Sequence, residues 1–328
     1  MKTHDCYRLH LTPLSPLHIG SGESYEPTHY VIDAEAVLHE FDTGGVMAAL
    51  GDAERRQLLS IASSRPSADM IKNLQRFFHE QQSRLTDEAV NRIPVLPGIA
   101  ALYASRVGQT AQREHDGQER INRLEIDRCA YHPGTRKPVL YGTSLKGAIR
   151  TALLDRINQG RTAHETKGLH DFQGRLLKYL NERGKLELEM DPLRMLQLSD
   201  AGWHAPPEQP AAQVYLAVNR KKAKVRDKDG REIRAMGENL YQILESVPGG
   251  QYRAFVSQLN LQSLLAAGDS PKVPRFCFDR RDIAGACNDF YRPIIERECQ
   301  ALQARGYLDH DWAAAIETLM HSAESRFR

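Results

Sequence analysis

Apolar residues recur in this chain with two different periods, and the two do not alternate regularly along it. A period of two runs through YRLHL, where Tyr7, Leu9 and Leu11 alternate with Arg8 and His10, and returns at Leu186, Leu188 and Met190. That is the spacing of strands with one buried face. Steps of three and four link Met70, Ile71, Leu74, Phe77, Phe78 and Leu85 behind a start signal at Pro66–Ser67, and again Leu145, Ile149, Ala152, Leu153 and Ile157. These are the stripes of amphipathic helices. Strands and helices mixed in this way argue against a doubly wound parallel sheet and for the α+β class. At 328 residues the chain is long enough for two domains.

Local patterns predict the organisation. Residues 28–42 read as two short strands, with Tyr30, Val31 and Ile32 in the first and Val37 and Phe41 flanking His39 in the second. The polar, glycine-interrupted run SRVGQTAQREHDGQERINRLE, at 105–125, reads as a solvated connection. LEIDRCAY and KPVLYG, separated by His132-Pro133-Gly134, predict two strands joined by a Pro-Gly bend. VYLAVNRKKAKVRDKDGREIRAM predicts a strand and a hairpin turning at Asp229-Gly230. Ile283, Cys287, Phe290 and Ile294 mark a late helix bent or broken near Pro293, and Trp312, Ile316 and Leu319 mark a terminal one.

Three segments carry candidate chemistry. PVLYGTSLKGAIR places Thr143, Ser144, Lys146 and Gly147 where a strand ends and a helix begins. Free amides and the helix dipole attract anions there, Gly147 would admit another backbone, and Lys146 and Arg150 would add mobile charge. The lysine precedes the second glycine, so this is not a Walker A loop. The plain alternative is a capped helix with two solvated cations. In LTPLSPLHIGSGE, His18 sits before a bend in which Gly20 and Gly22 permit positive φ and Ser21 offers a hydroxyl. Such a loop can cradle phosphate, although a strand histidine and a G-x-G turn are ordinary structural features. In residues 219–234 eight cations, Lys221, Lys222, Lys224 and Arg226 among them, face three acids. That basic hairpin suits a phosphate backbone, or else simply solubility, and the net charge of +2 over the whole chain hides it.

Other functional classes find less support. Five cysteines, widely spaced and never in C-x-x-C, argue against a disulfide framework and a zinc ribbon. Four His-Asp dipeptides lack a second histidine at ligand spacing, and neither H-E-x-x-H nor G-x-S-x-G occurs. No catalytic constellation, cofactor or metal site is read. MKTHDCYRLHL shows no apolar stretch behind its lysine, and no apolar run approaches 18 residues. The expectation is therefore a soluble cytoplasmic chain without a secretory leader or membrane partner.

Taken together, LTPLSPLHIGSGE, PVLYGTSLKGAIRTALL and LQLSDA at 196–201 resemble the RAMP proteins of CRISPR-Cas effector complexes. The order of segments, with ENLYQILESVPGGQYRAFVSQL at 238–259, is most similar to the family of fifth Csm subunits in type III-A systems. The resemblance implies a ferredoxin-like, RRM-related core over 1–200 with a helical insertion at about 46–106, and a second α+β portion over 201–328. It implies a non-catalytic subunit that binds the 3′ region of crRNA, caps the complex and supports crRNA maturation. Its partners would be crRNA and other Csm subunits, above all the backbone RAMP subunit, with target RNA and host nucleases as further candidates. Family members continue into a glycine-rich segment where this chain stops at SRFR, which implies a shortened second portion. Tyr141 also stands where they commonly have proline. No RNP1 octamer of stacking aromatics is present, so binding is expected to grip backbone and tolerate sequence. Two alternatives stay open: an endoribonuclease with His18 as general base, and a divalent-ion nuclease using an acid such as Asp33.

Overall fold

The computed structural model describes residues 4–113, 119–121, 124–161, 169–218, 225–226, 229, 232–233, 241–262 and 273–326. Its strands in chain order are β1 (His4–Leu11), β2 (Gly20–Tyr25), β3 (Tyr30–Ile32), β4 (Val37–Glu40), β5 (Asn91–Pro94), β6 (Thr110–Arg113), β7 (Glu119–Ile121), β8 (Ile126–Cys129), β9 (Val139–Leu140), β10 (Leu196–Leu198), β11 (Ala201–Trp203), β12 (Gln213–Val218), β13 (Val225–Arg226), β14 (Glu232–Ile233), β15 (Tyr241–Ser246) and β16 (Phe255–Gln262). The helices are α1 (Thr43–Ala49), α2 (Asp52–Ala62), α3 (Ala68–Glu80), α4 (Gln82–Leu85), α5 (Pro97–Arg106), α6 (Gly142–Ile157), α7 (Leu169–Leu176), α8 (Arg280–Gln303) and α9 (His310–Arg326). The class is α+β. The chain forms two compact units, the first from residues 1–14, 139–205 and 250–328, the second from 15–138 and 206–249.

The first unit is built on one sheet. β1 pairs antiparallel with β16 along its whole length, β16 pairs with β10 and β11, and β11 pairs with β9. The predicted alternation explains the register: Tyr7 lies opposite Leu259 and Leu11 opposite Phe255, so one face of the sheet is apolar. That face buries Leu196, Leu259 and Leu261 with Leu153 of α6 and Ile283 of α8. Each such side chain withdrawn from water contributes about 1.5–3 kcal/mol. α8 starts at a capping box, in which the Asp279 carboxylate accepts the Asp282 amide and the Asp282 side chain accepts the Asp279 amide, and it runs on through Pro293. Of the bend or break expected at that proline, a break does not occur.

The second unit holds a four-stranded sheet, β12-β15-β8-β2, a three-stranded sheet, β3-β4-β5, and the hairpins β6-β7 and β13-β14. α3 begins where expected, its N-cap Ser67 accepting the Met70 amide, and it buries Phe77 and Phe78 against Phe41, while Leu85 belongs to the separate turn α4. The polar run at 105–125, expected as a solvated connection, contributes the antiparallel pair β6-β7. Two expectations fail. The strands on either side of His132-Pro133-Gly134 do not form a hairpin: β8 joins β15 and β2, β9 joins β11 in the other unit, and only an isolated bridge links Tyr131 and Pro138. A turn signal fixes a change of direction but not the sheet in which the following strand finds its partner. Nor do Leu186, Leu188 and Met190 form a strand: Leu188–Met190 is a 3-10 turn with Leu188 exposed, and Asp191 caps a second turn through the Leu193 amide.

Candidate nucleic-acid interface

In the first unit, β9 ends at Leu140, Tyr141 follows as an extended N-cap without a side-chain capping bond, and α6 begins at Gly142. The Gly142 amide donates to Asp200 Oδ1 at 2.7 Å, and the Ser144 amide donates to the Tyr141 carbonyl. The carboxylate at the positive end of the helix is thus supplied by the protein itself. A Cβ at Gly142 would lie 2.5 Å from the Leu198 carbonyl oxygen and 2.9 Å from the Ser199 carbonyl. The chain's own backbone thus comes close at Gly142, whereas around Gly147 the space is open. Two segments singled out separately in the sequence, LYGTSLKG and LQLSDA, meet at this point.

Thr143, Ser144 and Gly147 are exposed at the start of α6, and Lys146 is half-buried, its amine held below the usual lysine range chiefly by desolvation, with Arg150 adding to the effect and Asp191 opposing it. Arg150 is not the mobile cation expected. Its guanidinium pairs with Asp191 at 3.0 Å and donates to Gln173 Oε1 at 3.0 Å and to the Tyr179 hydroxyl at 3.4 Å. An arginine held by three partners ties α6 to its surroundings and has little freedom to reach a ligand.

In the second unit, Gly20, Ser21 and Gly22 form no loop. They open β2, which pairs with β8 through a register shift between Gly20 and Ser24, a bulge at which Gly22 takes φ +83°. The Ser21 hydroxyl donates to the Arg128 carbonyl and accepts the Glu23 amide, both at 3.2 Å, so it stabilises the bulge. His18 Nδ1 lies 2.7 Å from the Glu245 carbonyl oxygen and donates to it, which leaves Nε2 as the accepting nitrogen. Among the described residues that carbonyl is the only hydrogen-bond partner of the His18 ring. Asp33, the candidate metal-site acid, is committed to the β3-β4 turn: one oxygen accepts the Val37 amide at 2.8 Å and the other meets His39 Nε2 at 2.6 Å. Lys221, Lys222 and Lys224 lie outside the described residues. Arg226 lies in β13, opposite Glu232 of β14, and the two strands pair antiparallel on either side of Asp229; Gly230, the other expected turn residue, lies outside the described residues.

Behind the bulge stands a charged network that sequence reasoning missed. The Arg128 guanidinium, 9% exposed, lies over the rings of Tyr131 and Tyr25 at 3.9 and 4.7 Å and pairs with Glu40 at 3.3 Å, while Arg136 meets Glu40 at 2.7 Å. Glu245 Oε2 accepts the Cys129 amide at 2.9 Å. Burial raises the Glu245 carboxyl from 4.5 to about 7, against the lowering effects of the Cys129 amide and Arg128. Glu245 also lines a hollow of about 430 Å³ with Arg92, Arg136 and Lys137, so protons can reach it. Because the native state holds this proton more tightly than the unfolded chain, its stabilisation is complete below pH 4.5 and is lost as pH rises through about 7. The loss is on the order of 3 kcal/mol. Glu245→Gln keeps an acceptor for Cys129. Urea unfolding at pH 5 and pH 7.5 is expected to show wild type losing stability relative to this variant, and equal pH profiles would contradict the assignment.

Among the described residues no helix is long and apolar enough to cross a membrane, and no group of three potential metal ligands occurs. No curated protein matches the chain. Among solved structures the chain is similar to the crystal structure of Csm5 from T. onnurineus, at 17% identity and TM-score 0.57, covering 93% of this chain and 86% of that one. It is also similar to a chain in a cryo-EM structure of a Csm-crRNA-target RNA ternary complex of a type III-A CRISPR-Cas system, at 16% identity and TM-score 0.52, covering 94% and 80%. At such identities these likenesses establish a shared fold. The RAMP superfamily model matches residues 10–259, a span that takes in the β2 bulge and the α6 junction, and this chain therefore belongs to the RAMP superfamily.

Proposed function

We propose that this chain is a non-catalytic RNA-binding subunit of a type III-A CRISPR effector complex, which holds the 3′ region of crRNA by its sugar-phosphate backbone, caps the complex and supports crRNA maturation. The observation that carries the reading is the fold shared, over 94% of the chain, with a component of a Csm-crRNA-target RNA assembly. The α6 junction supplies the chemistry: Thr143 and Ser144 hydroxyls and the Lys146 amine lie beside an uncluttered Gly147. Such groups bind phosphate oxygens without reading bases. The β2 bulge and the basic segment at 219–234 are further proposed contacts.

Filter binding to crRNA over a range of salt tests this reading. Lys146→Ala is expected to weaken binding uniformly across sequences and to reduce the salt slope by about one unit. Unchanged affinity and slope would remove the junction from the interface. Co-purification with the other Csm subunits tests the assembly. His18 bears on a second reading, since its Nε2 is left to accept a proton. Incubation with repeat RNA in the absence of metal separates the two: cleavage abolished by His18→Ala would make the chain an endoribonuclease.

A further inference from the structure

The sheet of the first unit has a second face, and its composition is unusual for one in contact with solvent. The register places Cys6 and Arg8 of β1 opposite Asn260 and Gln258 of β16, with Gln262 along the same strand and Gln197 of β10 opposite Asn260. The inner face packs against α6 and α8, whereas Cys6, Arg8, Gln197 and Gln258 are exposed. None of the paired positions on this outer face is Asp or Glu, and none is aromatic apart from histidine. Arg8 has no carboxylate or hydrogen-bond partner among the described residues. A hollow of about 560 Å³ is lined by Cys6–Arg8 of β1, by Ser199 and by Val256–Gln258 of β16. At one end of the face His10 stands 6.4 Å from the ring of His204, and its proton affinity is lowered by partial desolvation and by the nearby Arg253 and Arg8. The field at that end is positive.

We infer that this outer sheet face, centred on Arg8, Gln258 and Asn260, is a binding surface for single-stranded RNA. The inference rests on the RNA-binding reading above and adds to it a surface distinct from the α6 junction. Each amide side chain presents a donor and an acceptor in one plane, which suits the edges of unpaired bases, and Gln258 and Asn260 are already aligned by a bond of 2.9 Å between their side chains. Arg8 and Arg253 supply charge for phosphates, and no carboxylate stands among the paired positions of the face to oppose a polyanion. A protein partner would call for several aromatic or aliphatic anchors, and the paired positions of this face offer only Val256 and Val139, both partly covered. Without stacking rings, affinity comes from base edges and phosphates.

Cys6 is a built-in reporter, since it is exposed on the edge strand β1, opposite Asn260, while Cys129 is buried and Cys277, Cys287 and Cys299 are partly covered. The test is the rate of maleimide alkylation of Cys6 in the full chain, assigned by mass spectrometry, with and without a single-stranded RNA of mixed sequence. Bound RNA is expected to slow alkylation about fivefold or more, duplex RNA to leave it unchanged, and Gln258→Ala combined with Asn260→Ala to weaken the protection about tenfold in RNA concentration. RNA that binds the chain, by filter assay, without slowing Cys6 overturns the inference and leaves the functional reading standing. So does protection that survives in the double variant, or protection given only by another protein subunit. A chain that binds no RNA at all brings down both.

Discussion

Gly142→Ala is expected to destabilise the first unit by about 3 kcal/mol or more, seen as a lowered urea midpoint, because the added methyl meets backbone on both sides. Its Cβ would lie 2.5 Å from the Leu198 carbonyl oxygen and 2.9 Å from the carbonyl carbon of Ser199, atoms that cannot swing aside as a side chain can. Relief would require moving the segment between β10 and β11, and with it the Asp200 carboxylate that caps the Gly142 amide. Gly147→Ala is the internal control. It lies inside the same helix with open space around it, so the substitution is expected to be neutral or to stabilise by about 0.5–1 kcal/mol, from reduced freedom of the unfolded chain. Equal losses for the two variants would show that helix propensity, and not the contact with Leu198 and Ser199, decides the position.

Arg128→Leu is expected to cost the second unit about 3 kcal/mol, because it leaves buried carboxylates short of a partner. The guanidinium joins three elements: it pairs with Glu40 of β4, lies 3.7 Å from Glu23 of β2 and covers two tyrosine rings. Leucine replaces part of the apolar contact and none of the charge. Glu40 keeps Arg136, so the second unit is expected to be weakened without being lost. Adding Glu40→Leu should recover part of the deficit, as removing both members of a buried pair costs less than removing one. A double variant no more stable than Arg128→Leu alone would place the cost in the lost ring contacts.

The fold was legible where a local pattern determines a local outcome. Ser67 and the stripe ending in Phe77 and Phe78 specify α3, and the alternation of Tyr7, Leu9 and Leu11 specifies which face of β1 is buried. Pairing over distance left no such mark: nothing in LEIDRCAY or KPVLYG tells β8 to join β15, or β9 to join β11. The same limit governs the candidate site. Thr143, Ser144 and Lys146 were readable from a strand-to-helix junction, but the roles of Gly142, Asp200 and Arg150 depend on partners 58 and 41 residues away. The Arg128 network draws on residues from 23 to 245, each unremarkable in its own window of sequence.

The interleaving of the two units also bears on how the protein is made. β1 leaves the ribosome long before its partner β16, which is completed only at Gln262, after the whole of the second unit has been synthesised. The first unit thus closes late, through contacts of very high sequence separation, and until then an apolar strand face waits without its core. The second unit, contiguous from Ser15 to Pro138 for most of its length, can begin to collapse much earlier, lacking only β12 to β15. Slow closure of this kind makes the nascent chain a natural client for chaperones, and it means that no single cut in the chain yields either unit whole.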